Sequence, residues 1–206
     1  HGFEEMIAKE AGAKKEDILS YDLFLYNRMK GTTLGINEEF VAAPKLDDLE
    51  CAYSSIEGML NAKLSEDYVT MCTVFDNEEV GSGTKQGAGS TFFPEVLKRI
   101  SYLSGKNEEE YYMAVADSFM LSADNAHAVH PNYQDKTDPT NRPYINEGIV
   151  LKYNASQKYT TDANSAALVK YLCKKEKINC QVFFNRSDML GGSTLGNILT
   201  GQVSIK

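Results

Sequence analysis

Acidic residues gather at three places where the chain leaves an apolar run. Pro44-Lys-Leu-Asp47-Asp48 follows Ala43, Asp76-Asn77-Glu78-Glu79 follows Phe75, and Asp124 follows Ala123, with His127 and His130 just beyond it. If those runs are strands of an open α/β sheet, each delivers a carboxylate to one rim, because chemistry in such sheets collects at the carboxyl ends of the strands. Gathered carboxylates repel one another, and a divalent cation relieves that repulsion. Hard oxygen donors with a few imidazoles suit zinc, manganese or cobalt. Taken singly, each feature has a plainer reading. Adjacent glutamates are mostly a solvated loop, Asp47-Asp48 ahead of a helix is mostly an N-cap with a favourable first-turn charge, and D-x-x-H spacing is common by chance. Their shared placement carries the expectation of a metal site. The Gly81-Ser-Gly83-Thr-Lys-Gln-Gly87 stretch lacks both the P-loop order and the dinucleotide spacing, and reads as a flexible turn that lets backbone approach a ligand.

The elements that must position these residues follow from hydrophobic period. Residues 2–13 are helical in character, with Phe3, Met6 and Ile7 on one side. Residues 17–29 alternate apolar and polar and read as a strand, 31–35 as a turn, and 39–43 as a short strand stopped by Pro44. Residues 47–64 read as a helix, since Leu49, Ala52, Tyr53, Ile56, Met59 and Leu60 recur at three- and four-residue steps. The nearly continuous apolar run 68–75 predicts a strand buried on both faces. Residues 76–89 read as a loop, 93–103 and 108–116 as helices, 118–123 as a strand end and 124–146 as a long irregular loop. A strand at 148–153, a helix at 162–175 capped by Asp162, a strand at 180–184, a short helix at 193–199 and a strand at 201–206 complete the reading. Strands alternating with helices predict a three-layer α/β/α sandwich around a mixed, mostly parallel sheet.

The 206 residues carry 21 basic and 29 acidic side chains, a formal charge of −8. That balance argues against a nucleic-acid partner, because phosphate contacts need clustered Lys and Arg. No apolar run approaches the roughly 18 residues of a membrane span, so no membrane partner is expected. Cys51, Cys72, Cys173 and Cys180 have no zinc-knuckle spacing and read as free thiols of a cytoplasmic protein. Asn154-Ala-Ser156 and Asn185-Arg-Ser187 match the glycosylation pattern and, no signal peptide being expected, read as chance matches. The chain starts at His1 without an initiator Met and stops at Lys206 inside the last expected strand, so it reads as a piece of a longer protein.

Five motifs make the chain specific. Pro44-Lys-Leu-Asp-Asp-Leu49, Phe75-Asp-Asn-Glu-Glu-Val-Gly-Ser82, Ser122-Ala-Asp-Asn-Ala-His-Ala-Val-His-Pro-Asn-Tyr133, Asn146-Glu-Gly-Ile-Val-Leu-Lys152 and Gly192-Ser-Thr-Leu-Gly196 occur in this order. The set resembles the M18 family of metallo-aminopeptidases, whose best-known branch is the aspartyl aminopeptidases. The resemblance runs from about Asp17 to the end. It implies a catalytic domain over residues 15–206, incomplete at both ends, with residues 1–14 as the remnant of an inserted oligomerisation domain. It also implies two divalent metal ions, usually zinc with manganese or cobalt as alternatives, a peptide substrate, and a homo-oligomer in the intact protein. Carried over by position, Asp47 resembles the carboxylate shared by both metals, through a cis peptide to Asp48. Glu78 resembles the general base, Glu79 and Asp124 the ligands of one metal each, and His127, Lys152 and Tyr159 the substrate contacts. A lysine at position 152 favours an acidic first residue in the substrate.

The family pattern also has two histidine ligands that find no match here, His1 and His130 lying at the wrong places. Each metal would keep two protein ligands, fewer than the three usual at a catalytic zinc. These residues alone are therefore expected to bind metal weakly, to be inactive and to expose an apolar sheet edge. The competing expectation is a catalytically inactive homologue that serves as an assembly or peptide-binding module.

Overall fold

The computed structural model describes residues 2–192 and 194–206, and the chain divides into two compact units, His1–Lys45 and Leu46–Lys206. The first unit opens with helix α1 (Gly2–Ala11), whose acidic Glu4 and Glu5 sit in the first turn and Lys9 in the last, each matched to the helix dipole. Strands β1 (Thr32–Leu34) and β2 (Phe40–Ala42) pair antiparallel, with Thr33 opposite Val41. The turn expected over 31–35 is therefore mostly strand, and Gly35, at φ 102°, supplies the left-handed conformation that ends β1. The strand expected over 17–29 does not form. Its first residue closes a 3₁₀ turn at Lys15–Asp17, no ladder takes up the rest, and Leu19, Phe24 and Leu25 are exposed. Alternation marks two sides of a segment, but a strand also needs a partner for its N–H and C=O groups.

The second unit carries α2 (Leu46–Asn61), α3 (Phe92–Leu103), α4 (Glu108–Asp117), β3 (Ile149–Tyr153), α5 (Ala163–Glu176), β4 (Cys180–Phe184) and α6 (Leu195–Thr200). Its core is small. Ala88, Phe93, Tyr111, Val115, Leu199 and Val203 are buried together, with Phe75, Leu97 and Met120 packed against them. The α4 start is fixed by a capping box in which Asn107 and Glu110 bond each other's backbone. Strands β3 and β4 pair in parallel, Ile149 opposite Cys180 and Tyr153 opposite Phe184, with α5 as the crossover. Asp162 caps α5 as expected, accepting from the Ser165 N–H while the Ser165 side chain accepts from Asp162 N–H.

The result is an α/β fold, as expected. Among the described residues its ladders are confined to two two-stranded sheets, β1–β2 and β3–β4, so the sandwich around one larger sheet remains an expectation. The strand expected over 68–75 is not in a ladder. Tyr68 and Val69 are exposed, and Phe75 alone reaches the core, edge-on to Phe93 at 6.3 Å. The run 201–206 is likewise not a strand. It leaves α6 through a turn, and Lys206 hydrogen-bonds Ser118 and Met120, the only backbone bonds seen between those two segments among the described residues.

Candidate metal centre

The entry to α2 is irregular, and that irregularity aims its carboxylates. Asp47 (φ −83°, ψ 112°) and Asp48 (φ −120°, ψ 26°) depart from helical dihedrals, and the Asp47–Asp48 peptide is cis, as the resemblance implied. The regular helix starts after them. Side-chain oxygens of Asp47, Asp48 and Asp124 lie within 4.8 Å of one another, so two loops far apart in sequence meet at one point. The Asp48 carboxyl is held above its ordinary value, first by burial and then by the charges of Asp124 and Asp47, against the Cys51 hydrogen bond. Its Oδ1 is buried and has no hydrogen-bond partner.

Asp124 is half-buried and ion-paired with the Lys152 ammonium from β3. That ammonium also donates to the Asn125 carbonyl at 2.6 Å and lies 5.7 Å from the Tyr159 ring centroid. Burial, helped by the Asp124 charge, pushes the Tyr159 hydroxyl up, and the ring packs edge-on to Phe183 at 6.4 Å. Lys152 and Tyr159 thus stand beside Asp124.

Glu78 and Glu79 sit on a 3₁₀ turn, Glu78–Val80, bracketed by the left-handed Asn77 and Gly81. Gly81 N–H donates to the Glu78 carbonyl at 2.8 Å, Ser82 N–H to the Asn77 carbonyl at 3.0 Å, and the Asn77 amide to Thr84 Oγ1 at 2.8 Å. Ser82 is buried, and a Cβ on Gly87 would collide with its carbonyl. The glycine stretch is therefore a loop packed on itself to hold the glutamates, where a flexible turn was expected. The Glu78 carboxyl is pushed up by burial first, then by the charges of Glu79, Asp124, Asp47 and Asp48. Glu79 is exposed and is not among the three carboxylates within 4.8 Å. His127 is exposed and joins no such group among the described residues, while His130 is engaged locally, its Nδ1 accepting from the Asn132 N–H. Of the Gly192–Gly196 motif, Ser193 lies outside the described residues, and Gly196 N–H donates to Ser122 Oγ at 3.2 Å.

Three residues at the centre were not singled out as functional from sequence. They are Asp48, whose carboxylate joins the cluster, and Cys51 and Asn125, which lie beside it. Asp48 and Cys51 are three apart at a helix start, the one local signal they carry. The donor set fits a hard divalent cation, since three converging carboxylates and an orphaned buried carboxylate oxygen are what such an ion satisfies.

Comparison with known proteins agrees with this chemistry. The model of the family described as "Aminopeptidase I zinc metalloprotease (M18)" matches residues 2–206. A protein of Clostridium acetobutylicum named "Probable M18 family aminopeptidase 2" is 46% identical over 202 residues, covering 98% of this chain and 46% of that protein. Its namesake from Pseudomonas aeruginosa is 37% identical over 203 residues, with the same two coverages. The solved S. cerevisiae mApe1 dodecamer superposes with a TM-score of 0.81 at 29% identity, over 100% of this chain and 46% of that one. The chain thus spans about half the length of the curated relatives it matches.

Proposed function

The chain belongs to the M18 family of zinc metalloproteases, and on that premise we propose that it acts as an aminopeptidase, removing N-terminal residues from peptides at a two-metal centre. Asp47, Glu79 and Asp124 would hold the ions, zinc before manganese or cobalt. Bound zinc supplies a Lewis acid at the carboxylate rim. Glu78 takes the proton of the attacking water and returns it to the leaving amine. The acidic rim attracts the substrate's free α-ammonium, and Lys152 with Tyr159 and His127 meets its first side chain. The Lys152 ammonium supports a preference for Asp or Glu there, through charge-assisted hydrogen bonds. A homo-oligomeric state is part of the same proposal, supported by the dodecamer among the solved relatives.

The observation that carries this reading is the convergence of the Asp47, Asp48 and Asp124 carboxylates within 4.8 Å of one another. The test measures metal content and hydrolysis of α-aspartyl and leucyl amides with added zinc, manganese or cobalt, for wild type and Glu78→Gln. The expected result is that Glu78→Gln keeps its metal and loses about 10²–10⁴-fold in rate. A chain that binds no metal and hydrolyses neither amide would instead favour the assembly or peptide-binding module. Metal binding without hydrolysis would match the expectation that these residues lack two family ligands.

A further inference from the structure

The Asp124 loop and the Asp47–Asp48 corner are joined by a hydrogen-bonded bridge that stands behind the carboxylates. Cys51, one turn into α2, places its Sγ 3.0 Å from Asn125 Oδ1. The Asn125 amide nitrogen turns the other way and donates to Glu50 Oε2 at 3.2 Å. With its carbonyl accepting from Lys152, Asn125 is fixed on three sides, and it is the chain neighbour of Asp124. Cys51 and Asn125 are both half-buried. Cys51 is the donor in this contact and Asn125 Oδ1 the acceptor.

We propose that Cys51 and Asn125 are positioning residues that clasp the Asp124 loop to the Asp47–Asp48 corner and so set the geometry in which those carboxylates hold a divalent cation. The inference rests on the reading of Asp47 and Asp124 as metal ligands. Physically, carboxylates that repel one another drift apart unless something neutral ties their backbones together. A thiol–amide contact does this without adding a charge that would compete with the cation. Partners one step behind the ligands typically set metal affinity by about 10- to 100-fold.

The experiment is zinc affinity, by competition with a chromophoric chelator, for wild type, Cys51→Ala, Cys51→Ser, Asn125→Ala, the Cys51→Ala/Asn125→Ala double variant and Asp124→Asn, with the thermal midpoint of each. Cys51→Ala and Asn125→Ala should each weaken zinc binding about 10-fold. The double variant should lose no more than either single one, because both remove the same contact. Cys51→Ser, which keeps a hydrogen-bond donor, should restore affinity to within about threefold of wild type. A merely structural role would lower the thermal midpoint of Cys51→Ala and leave its zinc affinity unchanged, and that result overturns the clasp. So do additive losses, or a Cys51→Ser variant as weak as Cys51→Ala. If wild type binds zinc and Asp124→Asn loses it, a failure of the cysteine variants falls on the clasp alone. If wild type binds no zinc, the metal reading falls, and the clasp with it.

Discussion

Asp124 serves two charges at once. Its carboxylate belongs to the cluster that fits a cation, yet it is also paired with Lys152, whose ammonium is largely buried against the Asn125 carbonyl and the Tyr159 face. An ammonium so held is a fixed positive charge beside the rim, and a side chain with an acidic terminus gains most from it. Replacing Lys152 by Met should therefore lower kcat/KM for an α-aspartyl amide by about 10–100-fold, the worth of one charge-assisted hydrogen bond. It should change the leucyl amide far less. Equal losses on the two substrates would remove Lys152 from specificity and leave it as a partner of Asp124. Asp47, Glu78 and Asp124 were legible as a set because each follows an apolar run at a strand-like end. Cys51 and Asn125 were not, since a hydrogen bond spanning 74 positions leaves no trace in either residue's neighbourhood.

Elements here are fixed where local chemistry closes on itself. Helix α5 is the clearest case, since Asp162 and Ser165 satisfy each other's backbone at its start. The Ser165 N–H and hydroxyl hold the Asp162 carboxyl below its ordinary 3.8. Between that depressed value and 3.8 the unfolded chain binds more protons than the folded one, so stability rises with pH across this window. The cap's contribution is fully present above 3.8 and is lost as pH falls through the folded value. Asp162→Ala should lower the unfolding midpoint by about 2–5 °C at pH 7. The gap between variant and wild type should close in acid, as followed by circular dichroism. A gap that persists unchanged at pH 2 would mean the side chain acts through packing instead. The loop that carries Glu78 is built on the same principle, Gly81 N–H donating to the Glu78 carbonyl, Ser82 N–H to the Asn77 carbonyl and the Asn77 amide to Thr84 Oγ1.

The whole molecule leaves much apolar surface in view. Helix α2 has no buried residue, and Leu49, Tyr53 and Leu60 along its apolar stripe are 61%, 68% and 73% exposed. Surface of that kind drives association at roughly micromolar concentration. Sedimentation should show these 206 residues heavier than a monomer, and Leu60→Glu should shift them toward it. A wild type that stays monomeric throughout would show that the stripe is tolerated in water. Among the described residues no helix is long and apolar enough to cross a membrane. What the sequence determined was whatever depends on near neighbours: the helices, the β3–α5–β4 unit, the α5 cap, and the three acidic loops. What only the tertiary structure decided was pairing. Residues 17–29 and 68–75 have the hydrophobic pattern of strands and stay outside the ladders, because alternation states which side is apolar but never which partner lies alongside. The meeting of Asp47, Asp48 and Asp124, tied by Cys51 and Asn125, is a non-local event of the same kind, and a chain read residue by residue holds its parts without their distances.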